Sequence, residues 1–215
     1  MAKRPIHVIG ITGRARSGKD AFTTMLRAHL RDSTLDMDVV DKALAGTLKL
    51  MVYDFLADAL CNAARDSLAD NSPYGEYKED VIEGIGKSPR QLMQTLGTEW
   101  GRQLIGEDVW VNIMRNRIQR EADELERKKD YNGLVVIIPD VRFDNEVKLC
   151  DLLIRVVRDG AQPVSDHASE GGIPDDLIDY TVSNNGSLLE LDKKAAALST
   201  IIVEKFGASR EDRAA

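Results

Sequence analysis

Ile6-His7-Val8-Ile9-Gly10-Ile11-Thr12-Gly13-Arg14-Ala15-Arg16-Ser17-Gly18-Lys19-Asp20 is the stretch that decides the fold. Its first half, Ile6–Ile11, is a short apolar run with β-branched residues, the pattern of a strand buried on both faces of a parallel sheet. Its second half, Gly13–Lys19, fits G-x-x-x-x-G-K. The apolar spacing of Phe22, Met25, Leu26 and Leu30 then predicts a helix over about 18–30. A Gly-rich turn between a strand and a helix is the context in which this motif binds phosphate. Its backbone N–H groups converge on an anion, and the helix N-terminus adds positive potential. Lys19 is placed to reach the β- and γ-phosphates of a nucleotide. Asp20 stands where Ser or Thr usually meets Mg²⁺. Its carboxylate suits either the metal or the positive end of the helix dipole.

Outward from this turn, strands alternate with helices. A second strand is expected near Val39–Leu44, followed by a helix with Leu48, Met51, Val52, Phe55, Leu56, Ala59 and Leu60 at helical spacing. Residues 66–87 are polar and broken by Asn71-Ser72-Pro73, Gly84 and Gly86, so they read as an insert. Ser88-Pro89-Arg90-Gln91 carries a capping box with Pro at the first helical position. A helix over about 108–129 sets Glu124 and Lys128 for an i,i+4 pair. Leu134–Ile138 is the strongest strand signal. Leu152–Val157 and Tyr180–Ser183 follow as strands, then a helix over about 188–206 and a polar tail, 207–215, expected to be disordered. Alternation of this kind implies a parallel sheet covered on both faces. We expect a three-layer α/β P-loop NTPase fold in a single domain over 1–206, with an acceptor-binding insert and a short lid.

Composition narrows the function. The chain has 215 residues and a net charge of −7, against the basic surface usual for a polynucleotide binder. No apolar run reaches the length of a membrane span, and Met1-Ala-Lys-Arg-Pro5 lacks the form of a signal peptide, so a cytoplasmic location is expected. Cys61 and Cys150 have no metal-ligand spacing and read as buried thiols. Beyond the turn, Pro139-Asp140-Val141-Arg142 follows the strongest strand. That places Asp140 at the ligand-binding edge of a parallel sheet and gives Arg142 a planar fork for phosphate, although the same four residues also read as a solvated charged turn.

The order of several motifs resembles the deoxynucleoside monophosphate kinases of tailed bacteriophages. They are Arg16–Asp20, Leu44-Ala-Gly46, Arg90–Thr98, Trp110-Val111, Pro139–Arg142 with Glu146, Val156-Val-Arg158, Asp166-His167 with Glu170, and Asn185-Gly-Ser-Leu188. Residues 60–87 match weakly, and Ala21-Phe22 replaces hydroxyl residues of the pattern. The resemblance implies transfer of a phosphoryl group from MgATP to a deoxynucleoside monophosphate, in the host cytoplasm if the chain is phage-encoded. ATP would lie on Gly13, Arg14, Ala15, Arg16, Ser17, Gly18, Lys19 and Asp20. Arg158 would begin a lid over 158–172, and Asn185 and Gly186 would lie near the adenine. Arg90, Gly97, Thr98 and Trp110 would line the acceptor pocket, and Asp140, Arg142 and Glu146 would hold the acceptor's phosphate and sugar. Lys19, Arg16, Asp140 and Arg142 form the expected catalytic set, with ATP and Mg²⁺ required and Asp20 as the metal contact.

Taken alone, Trp110 reads as a core aromatic and His167 as a surface residue. Arg90 is ill-placed for a cation in a first helical turn, which favours a functional role. Expected partners are small nucleotides, with no polynucleotide and no membrane, and a homodimer is left open. Two rivals follow from the same residues. One is another small-molecule kinase of the phosphomevalonate or dephospho-coenzyme A type. The other is an ATPase module of a DNA-packaging machine. Leu92–Thr98 with Trp110 favours the nucleotide acceptor, and the acidic balance disfavours the packaging module.

Overall fold

The computed structural model describes residues 4–59, 79–128, 131–161 and 172–207. The expected tail beyond 207, most of the 66–87 insert, and Asp166, His167 and Glu170 of the lid lie outside these residues. The described chain falls into two compact units, one of residues 1–43 with 113–215 and one of 44–112.

The first unit is built on five parallel strands in the order β2-β3-β1-β4-β5. They are β1 (Ile6–Thr12), β2 (Asp38–Asp41), β3 (Leu134–Ile138), β4 (Leu152–Val157) and β5 (Tyr180–Ser183). β1 is central, paired with β3 from Ile6↔Leu134 to Gly10↔Ile138 and with β4 from Ile9↔Leu152 to Thr12↔Arg155. α1 (Lys19–Arg31) and α6 (Leu188–Gly207) cover one face. Phe22, Leu26 and Leu30 of α1 and Ala195, Leu198 and Ile202 of α6 form one core with the strand residues Ile9, Ile11, Val135, Ile137, Ile154 and Val156. The alternate strand residues Val8, Leu134, Val136 and Ile138 are buried as well. Both faces of the sheet are therefore covered, which is why these strands are continuously apolar rather than alternating. The expected central parallel sheet and α/β layering are present.

Two boundaries differ from the sequence expectation, and one short helix is added. β2 ends at Asp41, although Lys42 N still donates to Ile137 O at 2.9 Å, and Leu44 instead belongs to the turn leading into α2 (Gly46–Ala59). α4 (Val109–Leu125) stops before Lys128, which lies in a turn, so Glu124 and Lys128 are not a helical i,i+4 pair. Between β3 and β4 a four-residue helix, α5 (Asp144–Val147), follows the Pro139–Arg142 turn.

The second unit begins with α2 and contains α3 (Pro89–Gln94), which runs directly into a π-helical segment, Thr95–Ile105. The expected capping box is present: Gln91 N donates to Ser88 Oγ at 3.3 Å, and Ser88 N to Gln91 Oε1 at 3.0 Å. The π segment packs on Trp110, whose indole N–H donates to Gly97 O at 2.7 Å. A Cβ at Gly101 would come within 2.5 Å of the Trp110 ring, so only glycine lets the indole lie this close. The wider i→i+5 winding is thus matched by an aromatic ring laid on a glycine face. Among the described residues no helix is long and apolar enough to cross a membrane.

Candidate functional site

The turn after β1 has an unusual backbone. Gly13, Arg16 and Gly18 have φ of +144°, +63° and +92°. A positive φ at Arg16 costs energy for a residue with a side chain, and such strain collects where function fixes the backbone. At Gly13 the carbonyl of Val156 would meet a Cβ at 2.2 Å, so the turn lies directly against β4. Ser17 N donates to Arg14 O at 3.2 Å and Lys19 Nζ to the same oxygen at 3.0 Å, which folds the lysine over the turn. Ser17 is fully buried, and its hydroxyl has no hydrogen-bond partner among the described residues.

This turn floors a cavity of about 370 Å³. Of the expected residues, Gly13, Arg14, Ala15, Ser17, Lys19, Arg142 and Arg158 line it. Arg142 reaches it because Val141 N donates to Ile11 O at 3.1 Å, pinning the 139–142 turn beside β1. Among the described residues, five cations, Arg14, Lys19, Arg142, Arg155 and Arg158, and one carboxylate, Asp175, line it. In a chain of net charge −7 this is a concentrated positive field, and it suits a ligand with several negative charges.

Arg155 also lines the cavity, outside the sequence expectation. It is the one charged residue in the apolar strand Leu152–Val157, and that break in pattern was the available signal. Its guanidinium pairs with the Asp175 carboxylate and donates to Ile173 O.

The other expected residues are placed as follows. Asp20 is exposed in the first turn of α1, and its carbonyl accepts from Thr24 Oγ1 at 3.0 Å. Asp140 is half-buried in the turn after β3. Glu146 is only 4% exposed, and its Oε2 accepts the backbone N–H groups of Arg142 at 2.7 Å and Phe143 at 3.1 Å. Its carboxylate therefore holds the turn that carries Arg142. Asn185 Oδ1 accepts Asp159 N at 2.8 Å, which ties the loop after β5, including Gly186, to the turn that follows Arg158. In the second unit, Arg90 Nε donates to Glu79 Oε1 at 2.5 Å and Thr98 is half-buried. Gly97 and Trp110 are buried against each other, 5% of the indole residue remaining exposed. Trp100, more open at 39%, sits at a tilt with its ring centroid 6.4 Å from that of Trp110.

Among the described residues no three metal-ligating side chains cluster. Mg²⁺ commonly keeps several waters and takes one or two carboxylates plus substrate phosphates; Asp20, exposed in the first turn of α1 next to the Gly13–Lys19 turn and outside the cavity lining, is a carboxylate of that kind. Cys150 is the free cysteine of the described residues, and burial together with Asp151, Glu146 and Asp179 pushes its thiol up to about 12.

A glycine-rich G-x-x-x-x-G-K turn at the carboxyl end of the central strand, in a parallel 2-3-1-4-5 sheet, defines a P-loop α/β protein. Residues 36–195 match the deoxynucleotide monophosphate kinase family, and the chain belongs to that family. The matched residues begin after the Gly13–Lys19 turn. The chain is 35% identical over 120 residues to the deoxynucleoside-5′-monophosphate kinase of Escherichia phage T5, covering 51% of this chain and 44% of that protein. It is 33% identical over 121 residues to the deoxynucleotide monophosphate kinase of Enterobacteria phage T4, covering 54% and 47%. The chain thus spans about half the length of the curated relatives it matches. A dephospho-CoA kinase from Campylobacter jejuni aligns over 93% of this chain and 98% of its own, with 11% identity and a TM-score of 0.43.

Proposed function

We propose that this chain transfers the γ-phosphoryl group of MgATP to a deoxynucleoside monophosphate. The observation that carries the reading is the cavity over the Gly13–Lys19 turn, lined among the described residues by five cations and one carboxylate, in a chain of this family. Phosphoryl transfer needs positioning and charge neutralisation more than covalent chemistry, and that is what this set of residues offers. Gly13 to Gly18 supply backbone N–H groups to the polyphosphate. Lys19 and Arg16 neutralise its charge, and Arg158 closes on it from the turn after β4. Arg142 faces the transferred group. Asp140, at the sheet edge, orients the acceptor. Asp20 would be the protein carboxylate that holds Mg²⁺, which when bound would supply charge neutralisation. Asn185 and Gly186 border the adenine.

For the acceptor, Arg90, Gly97 and Thr98 keep the assignment that the family resemblance gives them. Trp110, with its indole N–H spent on Gly97, serves by shaping the segment that carries Thr98. Glu146 acts through Arg142, whose backbone it holds. Excluding water from the cavity would limit wasteful hydrolysis. The test is ADP release with four deoxy- and four ribonucleoside monophosphates. A deoxynucleotide that stimulates release above the ATP-only rate supports the reading. No stimulation by any of the eight contradicts it.

A further inference from the structure

We infer that Asn184 is a positioning residue for the phosphate-binding turn, setting the orientation of the Ser17–Gly18 peptide. The inference rests on the reading of this turn as the ATP site. Asn184 follows β5 and is 7% exposed. Its backbone N–H donates to Val157 O at 2.7 Å, so its Cα is fixed by the sheet. Its side-chain Nδ2 donates to Ser17 O at 2.8 Å in a buried bond. A Cβ on Gly18 would come within 2.2 Å of that same Nδ2, so the carboxamide lies hard against the Gly18 backbone.

The Ser17–Gly18 peptide is the one a phosphate site can least afford to have reversed. Rotated about its long axis, it would exchange the Gly18 N–H for the Ser17 carbonyl and turn a donor to the anion into a repelling oxygen. Gly18, at φ +92°, has no side chain to resist that rotation. The hydrogen bond from Asn184 does resist it, because it holds the Ser17 carbonyl on the sheet side of the turn. Neighbouring Asn185 anchors the loop from the other direction by accepting Asp159 N. Asn184 touches backbone, so its effect on ATP passes through the peptide it holds.

Asn184→Asp keeps the shape of the side chain and removes the donor. At pH 8 its carboxylate would face the Ser17 carbonyl, two acceptors without a proton between them. When protonated it can donate to Ser17 O and restore the contact. The elements around this position also carry Arg16, Lys19 and Asp20, then Arg158 and Asp159, and Glu190 and Lys194 of α6. The wild-type protein has the same groups, so its own pH profile removes their contribution. ATP affinity is measured by calorimetry on the full chain from pH 5.5 to 8, beside affinity for a deoxynucleoside monophosphate. Asn184→Asp should bind ATP about tenfold more weakly than wild type at pH 8, the loss expected for one hydrogen bond, and recover toward wild type as pH falls. Asn184→Ala should show the weakening without recovery, and stands in if the aspartate variant does not fold. Wild-type-like ATP affinity in both variants at every pH overturns the inference alone. Equal weakening toward ATP and the monophosphate, with no pH recovery, overturns it in favour of a general packing role. Wild-type protein that binds neither ATP nor inorganic tripolyphosphate overturns the nucleotide reading itself, and the inference with it.

Discussion

Replacing Glu146 by Ala tests how the turn carrying Arg142 is built. Glu146 Oε2 accepts two backbone N–H groups, from Arg142 at 2.7 Å and Phe143 at 3.1 Å, from a side chain only 4% exposed. Hydrogen bonds to a charged group contribute ~1.5–3 kcal/mol each. Arg142 is exposed, so water recovers part of its share. A net loss of about 3 kcal/mol follows. For a chain of this size each kcal/mol moves Tm by about 2–4 °C, so Glu146→Ala should melt roughly 6–12 °C lower, read by circular dichroism. Glu146→Gln keeps one acceptor oxygen and should lose about half as much. Assayed well below its own Tm, the alanine variant should also turn over more slowly, because Arg142 lines the cavity on a loosened turn. A Glu146→Gln protein with wild-type Tm and a raised KM for the acceptor would refute the reasoning and make Glu146 a substrate contact.

Three further outcomes are expected. Lys19→Met should fold normally and lose at least ~10²-fold in kcat, the scale for removing one donor to transition-state charge; near-normal kcat in a folded variant would undo the phosphate-turn assignment. Asp20→Ala should raise the magnesium concentration needed for half-maximal rate, whereas unchanged magnesium dependence with lowered Tm would leave Asp20 a helix-dipole residue. Cys150 should resist iodoacetamide at pH 8 in the folded protein, since burial holds its thiol protonated up to about 12. The folded value lies above the unfolded one near 9, so this thiol's stability contribution is complete below pH 9 and is lost as pH rises toward 12. Stability that fails to decline more steeply over that window in wild type than in Cys150→Ala would contradict this.

The sheet and the turn after its central strand were legible where one local pattern has one structural outcome. Ile6–Lys19 reads as strand, glycine-rich turn and helix, and Leu134–Ile138 reads as a buried strand, because length, β-branching and glycine placement agree. What escaped depended on distant partners. The π winding of Thr95–Ile105 follows from Trp110 lying on Gly97 and Gly101, and helical periodicity alone does not separate i→i+5 from i→i+4 bonding. Glu146 sits in a four-residue helix that begins at Asp144, and its carboxylate turns back onto the backbone N–H of Arg142, a contact that residue spacing alone does not specify. Asn184 and Arg155 gain their roles from neighbours 167 and 20 residues away, Ser17 and Asp175, which no local window contains.

The central claim is transfer, rather than hydrolysis, at the cavity over Gly13–Lys19. Incubating the protein with MgATP labelled in the γ-phosphoryl group and a deoxynucleoside monophosphate, then separating the products, tests it in one step. The account predicts label in the deoxynucleoside diphosphate and its loss in Lys19→Met. Label appearing only in inorganic phosphate, at a rate indifferent to the deoxynucleotide, would contradict it.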